Sequence, residues 1–201
     1  MLMEQQGMLQ IFSLQWELNI RTLANAGWDF EATVNDPDQR LVWIENYRKA
    51  LSAELAELIR EVRDHGLGTK NGKVEIVDIL HFLVSLSQIV GVKPEEISLS
   101  PSKNGASFET CVIQAFLGID ELQNSLKWKW WAKGGGFKPQ QARSSVIDLW
   151  RSFSCLCGVF NLDFCELKKI YVAKNKVNFE RQRLNYNEDS KTETDNLSIE
   201  A

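Results

Sequence analysis

At 201 residues with 44% hydrophobic side chains, the chain suits one domain with a sizeable core. No run approaches the ~18 uninterrupted apolar residues of a membrane helix, and the start, MLMEQQGMLQ, lacks the basic-then-apolar order of a signal peptide, so a soluble cytoplasmic protein is expected. The net charge of −4 sits in residues 187–201 (NEDSKTETDNLSIEA), an acidic tail expected to be disordered; without it the chain holds 22 acids and 22 bases, which gives no sign of a broad basic face for nucleic acid.

Apolar spacing is helical almost throughout, with no period-2 run. A first helix is expected at about 8–26, ended by Gly27, and a second at about 38–64, opened by Asp36-Pro37. Gly66, Gly68 and Gly72 make the turn to a third helix at about 73–90, closed by Gly91. Lys93-Pro94-Glu95-Glu96 starts a short helical turn, and residues 99–106 read as a loop. Further helices follow at about 107–131, 140–157 and 162–186, with KGGGFKP (133–139) as a hinge or lid between two of them. The whole reads as one all-α bundle over residues 1–186.

IDELQNSL (119–126) resembles AELAELI (53–59), and SFSCLCGV (152–159) resembles SLSQIVGV (85–92), as in a duplicated helical unit. The second copy has Gly118, Ala142 and Ser145 where the first has Glu54, Glu75 and Asp78. Cys111, Cys155, Cys157 and Cys165 lie in apolar runs without zinc-site spacing, so they read as buried, reduced thiols.

The chemistry concentrates in carboxylates. Glu54 and Glu57 are three residues apart on one helix, and Glu75 and Asp78 are three apart on the next, so each pair shares a helix face. A short turn lets the two pairs face each other. In VEIVDILHFL the acids are bracketed by apolar residues on nearly every side, which marks a buried helix. Buried acids without basic neighbours need cations or protons, and hard oxygen ligands suit Mg²⁺. His81, one turn beyond Asp78, could support the cluster or fill the core.

Gln15 and Asn19, four residues apart in LQWELN, carry amides that can pair with a pyrimidine edge; two polar residues on a wet face would look the same. Trp128 and Lys129 belong to KWKWW (127–131), an aromatic anchor or a ligand contact. In YVAKNKVNFERQRLNY (171–186), Lys174, Asn178 and Arg181 step along one helix face, a stripe able to grip phosphate and sugar.

Together these stretches resemble the all-α nucleoside triphosphate pyrophosphohydrolases, a superfamily that includes MazG-like enzymes, and within it the dimeric dUTPases. The last stretch is similar to that family's terminal motif Y-x-x-K-N-x-x-N-x-x-R-Q-x-x-G-Y, with Asn185 in place of Gly and Tyr186 at its end. The W-K-x-W of the family follows its ExxE helix directly, whereas here the similar run lies some seventy residues later. The resemblance implies Mg²⁺-dependent hydrolysis of dUTP, with dUDP a second candidate substrate, in a homodimer. Glu54, Glu57, Glu75 and Asp78 would hold two or more Mg²⁺ ions, with Mn²⁺ as the substitute, and Glu54 or Glu57 would act on the attacking water. Gln15 and Asn19 would read uracil, and Lys174, Asn178, Arg181, Trp128, Lys129 and Tyr186 would contact the nucleotide. The rival expectations are the same chemistry on dCTP or a damaged triphosphate, and a helical binding protein without activity.

Overall fold

The computed structural model describes residues 2–99 and 106–184. They form helices α1 (Leu2–Asn25), α2 (Phe30–Asn35), α3 (Pro37–His65), α4 (Lys70–Val90), α5 (Phe108–Asn124), α6 (Pro139–Val159) and α7 (Phe164–Arg183), with one 3₁₀ turn at Pro94–Glu96. No strand occurs among the described residues, and none of their helices is long and apolar enough to cross a membrane. The chain is an all-α bundle, as its periodicity predicts. Tyr186 and the acidic tail lie outside the described residues.

The helix ends follow local chemistry. Asp36 accepts from the backbone N–H groups of Asp38 and Gln39, both at 2.9 Å, and Pro37 occupies the first helical position of α3. Thr69 Oγ1 accepts from Gly72 N at 2.9 Å to open α4, and Gly91 closes it at φ 77°, a left-handed conformation that a Cβ disfavours. Helix α1 begins at Leu2, well before the expected start at about residue 8, and two other features also differ from expectation. A six-residue helix, α2, forms because Asp29 accepts from Ala32 N at 2.8 Å while Phe30 buries itself. Helix α5 stops at Asn124 because Ser125 turns its hydroxyl onto Leu122 O at 2.6 Å and its own carbonyl accepts from Lys138 N at 2.8 Å. The Trp run therefore lies in a loop, not on a helix.

Helices α3 and α4 form one antiparallel hairpin, and α5 and α6 form a second. Leu51, Leu55, Ile79 and Leu83 of the first meet Ala115, Ile119, Leu149 and Phe153 of the second in a shared apolar core. Gly118 lets Leu149 pack close there: a Cβ would lie 2.9 Å from Leu149 Cδ2 and push that side chain aside. Ala142 of the second hairpin is fully buried. Helix α7 closes the bundle against α1. Gly7 of α1 sits so close that a Cβ would lie 2.4 Å from Phe164 Cε1 at the start of α7.

The cysteines depart from the sequence expectation. Cys111 and Cys155 form a disulfide between α5 and α6, with Cα atoms 5.7 Å apart. Both lie in apolar runs that face each other across the hairpin, and such surroundings accommodate a bonded pair as well as two thiols. Cys165 is exposed, and only Cys157 is a buried thiol. The cysteines therefore no longer argue for a reducing compartment.

Candidate active site

The α3–α4 hairpin gathers the acids toward its connecting turn. Glu54 and Glu57 on α3 and Glu75 on α4 each offer a carboxylate oxygen, and the three oxygens lie within 4.8 Å of one another. Glu75 is buried in the wall of α4. Its Oε1 accepts from Asn71 Nδ2 at 3.2 Å, whereas Oε2 is buried with no hydrogen-bond partner. Burial pushes its carboxyl up to about 7, and the charges of Asp78 and Glu57 add to the rise against the opposing charge of Lys174. Lys73, the base nearest in sequence, pairs with Glu166 at the start of α7 and is thereby turned away from Glu75.

Asp78 stands somewhat apart from this trio. Its Oδ2 accepts from Lys174 Nζ at 2.7 Å, and the Lys174 side chain is only 4% exposed. Two residues expected to serve different parts of a ligand are thus joined to each other. Asn178 and Arg181 continue from Lys174 along α7, both half-buried.

The spacing of the acids does not reveal a polar brace beneath them. Glu61 accepts from Thr69 Oγ1 at 2.7 Å and from Asn71 Nδ2 at 3.1 Å, so Asn71 bridges Glu61 and Glu75. Glu61 lies one turn past Glu57, which is the one signal that could have found it.

Gln15 and Asn19 are not on a wet face. They are 4% and 3% exposed, between α1, α4 and α7. Gln15 Nε2 donates to Asn19 Oδ1 at 3.0 Å and to Ser85 Oγ at 3.1 Å. Its Oε1 accepts from Tyr171 OH at 2.8 Å and lies 2.7 Å from His81 Nδ1. Burial, with help from the Lys174 charge, pushes the His81 imidazole down to about 3, so the ring is neutral and a proton on Nδ1 can donate to Gln15. His81 stacks on Tyr171 with ring centroids 4.4 Å apart, and its Nε2 is buried without a partner. The sequence pointed to Gln15, Asn19 and His81; it missed Ser85 and Gln88, which lie one and two turns beyond His81 on α4.

An aromatic wall leads from the surface to these amides. Trp28 meets Trp43 at 6.0 Å, Trp43 meets Tyr47 at 5.5 Å, and Tyr47 meets Phe82 at 6.3 Å. The Tyr47 hydroxyl faces Ser85, yet it is buried without a hydrogen-bond partner. Trp128 and Lys129 are elsewhere. Lys129 Nζ lies 5.0 Å above the Trp128 ring, and Trp128 Nε1 donates to Asn124 Oδ1 at 3.2 Å. Among the described residues, no hydrogen bond, ion pair or ring contact joins either of them to the carboxylates.

Three acids around an unpartnered oxygen can hold a divalent cation, a buried amide cluster under an aromatic wall can hold a flat polar ring, and the α7 stripe can offset phosphate charge. A family model described as dUTPase matches residues 7–186. No match was found among curated proteins or solved structures.

Proposed function

Since the chain belongs to the all-α dimeric dUTPase family and is thus a nucleoside triphosphate pyrophosphohydrolase, we propose that it cleaves dUTP to dUMP and pyrophosphate at the α3–α4 carboxylates, with Mg²⁺ as the ion. The family implies a divalent cation in general terms. The residues fit one: Glu75 Oε2, buried and unpartnered beside Glu54 and Glu57, is an arrangement that costs free energy until a cation or proton arrives. That oxygen carries the reading.

Glu54, Glu57, Glu75 and Asp78 would hold the ion or ions. Bound there, a divalent cation neutralises phosphate charge and acidifies water. Glu54, half-buried at the cluster's rim, orients the attacking water and accepts its proton. Lys174 is shared between Asp78 and the phosphates, so it carries positive charge to the reacting end whether or not substrate is present. Arg181 adds a planar pair of donors, and Asn178 holds sugar or phosphate. Gln15 and Asn19 meet the base, and Tyr171 and His81 hold Gln15 in place. Trp128 and Lys129 have no part in this scheme, because their contacts stay within their own loop and α5.

We assign a homodimer as the working form. Ile113, Phe116 and Leu117 form an exposed apolar stripe on α5, which suits a contact between subunits.

The test is Glu57→Gln, a change that keeps volume and removes one charge. Pyrophosphate release from dUTP with Mg²⁺ is expected to fall at least ~100-fold with the thermal transition retained. Release at the wild-type rate would remove the metal assignment.

A further inference from the structure

The buried amides form a chain with a direction. Gln88 Nε2 donates to the backbone carbonyl of Phe12 at 2.8 Å. A carbonyl oxygen only accepts, so the Gln88 amide must turn its NH₂ toward α1 and its Oε1 away. That Oε1 accepts from Asn19 Nδ2 at 2.9 Å. The Asn19 oxygen therefore points the other way, where Gln15 Nε2 donates at 3.0 Å and the Ser85 hydroxyl lies 3.1 Å away. Gln15 in turn faces Tyr171 OH and His81 Nδ1 with its oxygen.

Reversing any one amide sets acceptor against acceptor on one side and donor against donor on the other. The chain can reverse only as a whole. Tyr171 can rotate its hydroxyl and His81 can change tautomer, so that end would permit reversal. The Phe12 carbonyl cannot turn, and Gln88 is the link through which this constraint reaches Asn19.

Counting protons and lone pairs shows what remains for a ligand. Both N–H groups and both oxygen lone pairs of Gln15 are committed, and Asn19 Oδ1 accepts from Gln15 Nε2 and competes with the His81 carbonyl, 2.9 Å away, for the single Ser85 hydroxyl proton. Asn19 Nδ2 has one proton beyond its bond to Gln88. The pair thus offers a donor to an incoming ring. A donor matches the carbonyl at position 4 of uracil and opposes the amino group that cytosine carries there.

We infer that Gln88 is a positioning residue for base choice: it transmits the fixed polarity of the Phe12 carbonyl to Asn19, so that the site meets the base with an N–H. This rests on the reading of Gln15 and Asn19 as the base site. If Asn19 is released, it can present its oxygen instead, and cytosine becomes acceptable.

The experiment compares kcat/KM for dUTP and dCTP in wild type, Gln88→Met and Gln88→Glu. Methionine keeps the stem's volume and removes the link; glutamate keeps an acceptor for Asn19 Nδ2. The dUTP/dCTP ratio is expected to fall about tenfold or more in Gln88→Met and to stay within about threefold of wild type in Gln88→Glu. A purely structural role predicts the reverse order, because a half-buried carboxylate disturbs packing more than methionine does. An unchanged ratio in Gln88→Met, or equal loss in both variants, overturns the inference and leaves the uracil reading standing. A wild type indifferent between the two nucleotides overturns both. Should Gln88→Met fail to fold, Gln88→Leu is read in the same way.

Discussion

Lys174 Nζ and Asp78 Oδ2 are 2.7 Å apart in a place where both side chains are largely withdrawn from water, 4% and 15% exposed. One comes from the terminal helix and the other from the acid-bearing hairpin, so this pair fastens α7 to α4 beside the carboxylates. Removing one member strands the other's charge. Lys174→Met is expected to destabilise the protein by about 3 kcal/mol, and the double variant Lys174→Met/Asp78→Asn is expected to regain most of that loss. Urea unfolding of the four-protein cycle measures this; additive losses would mean that the pair is not coupled.

Glu75 links stability to pH. Its carboxyl is raised from the ordinary 4.5 to about 7, so between those values the folded protein binds more protons than the unfolded chain. Stability is therefore present in full below about pH 4.5 as far as this group is concerned and falls as pH rises toward 7. The loss is at most roughly 3 kcal/mol, less whatever solvent at the cleft screens. With EDTA present, the Tm of the protein is expected to drop over that interval. Mg²⁺ is expected to abolish the drop, and a Tm profile indifferent to Mg²⁺ would count against the cation site.

Tyr47 buries a hydroxyl that faces Ser85 without forming a well-aligned hydrogen bond. Tyr47→Phe is expected to leave the free protein as stable as before or more stable by about 1 kcal/mol, because the desolvated hydroxyl is gone. If the hydroxyl meets the base beside Ser85, KM for dUTP rises severalfold while kcat holds. Melting curves and initial rates separate the two effects, and a stability loss above about 1 kcal/mol would show that the hydroxyl is already bonded.

The bond between Cys111 and Cys155 spans 44 residues of chain. In unfolding solvent without reductant, two of the four cysteines are expected to react with a thiol reagent. Cys111→Ala/Cys155→Ala is expected to lower stability by up to about 4 kcal/mol through the entropy of the opened loop. Four reactive thiols in the native preparation would contradict the bond.

What the sequence reveals is whatever depends on neighbours along the chain. Asp36-Pro37 and Gly91 mark helix ends through local bonds, and the all-round apolar character of α4 marks its burial. The paired acids are legible because a helix fixes their spacing. Contacts between residues about seventy or more apart are not. Nothing near Gln15 in sequence announces Ser85 or Tyr171, and the wet-face alternative fails for that reason. Asn71 and Glu61 are invisible as a brace because their bond depends on the tightness of the α3–α4 turn. Helix α5 reads too long because the Trp run keeps a helical period, while a single hydroxyl at Ser125 ends the helix. The disulfide stays hidden because only the folded hairpin brings α5 and α6 together.

Gly7 offers a last consequence. On the proposed reading the amides of α1 and the cationic stripe of α7 meet opposite ends of one nucleotide, so the gap between these helices would bear on the length of molecule accepted. At Gly7 that gap is held by direct contact with the Phe164 ring, with no side chain between. On that reading the glycine would act as a calliper: a methyl there must displace the Phe164 ring or widen the gap, and so would alter the reach between the two ends without touching either.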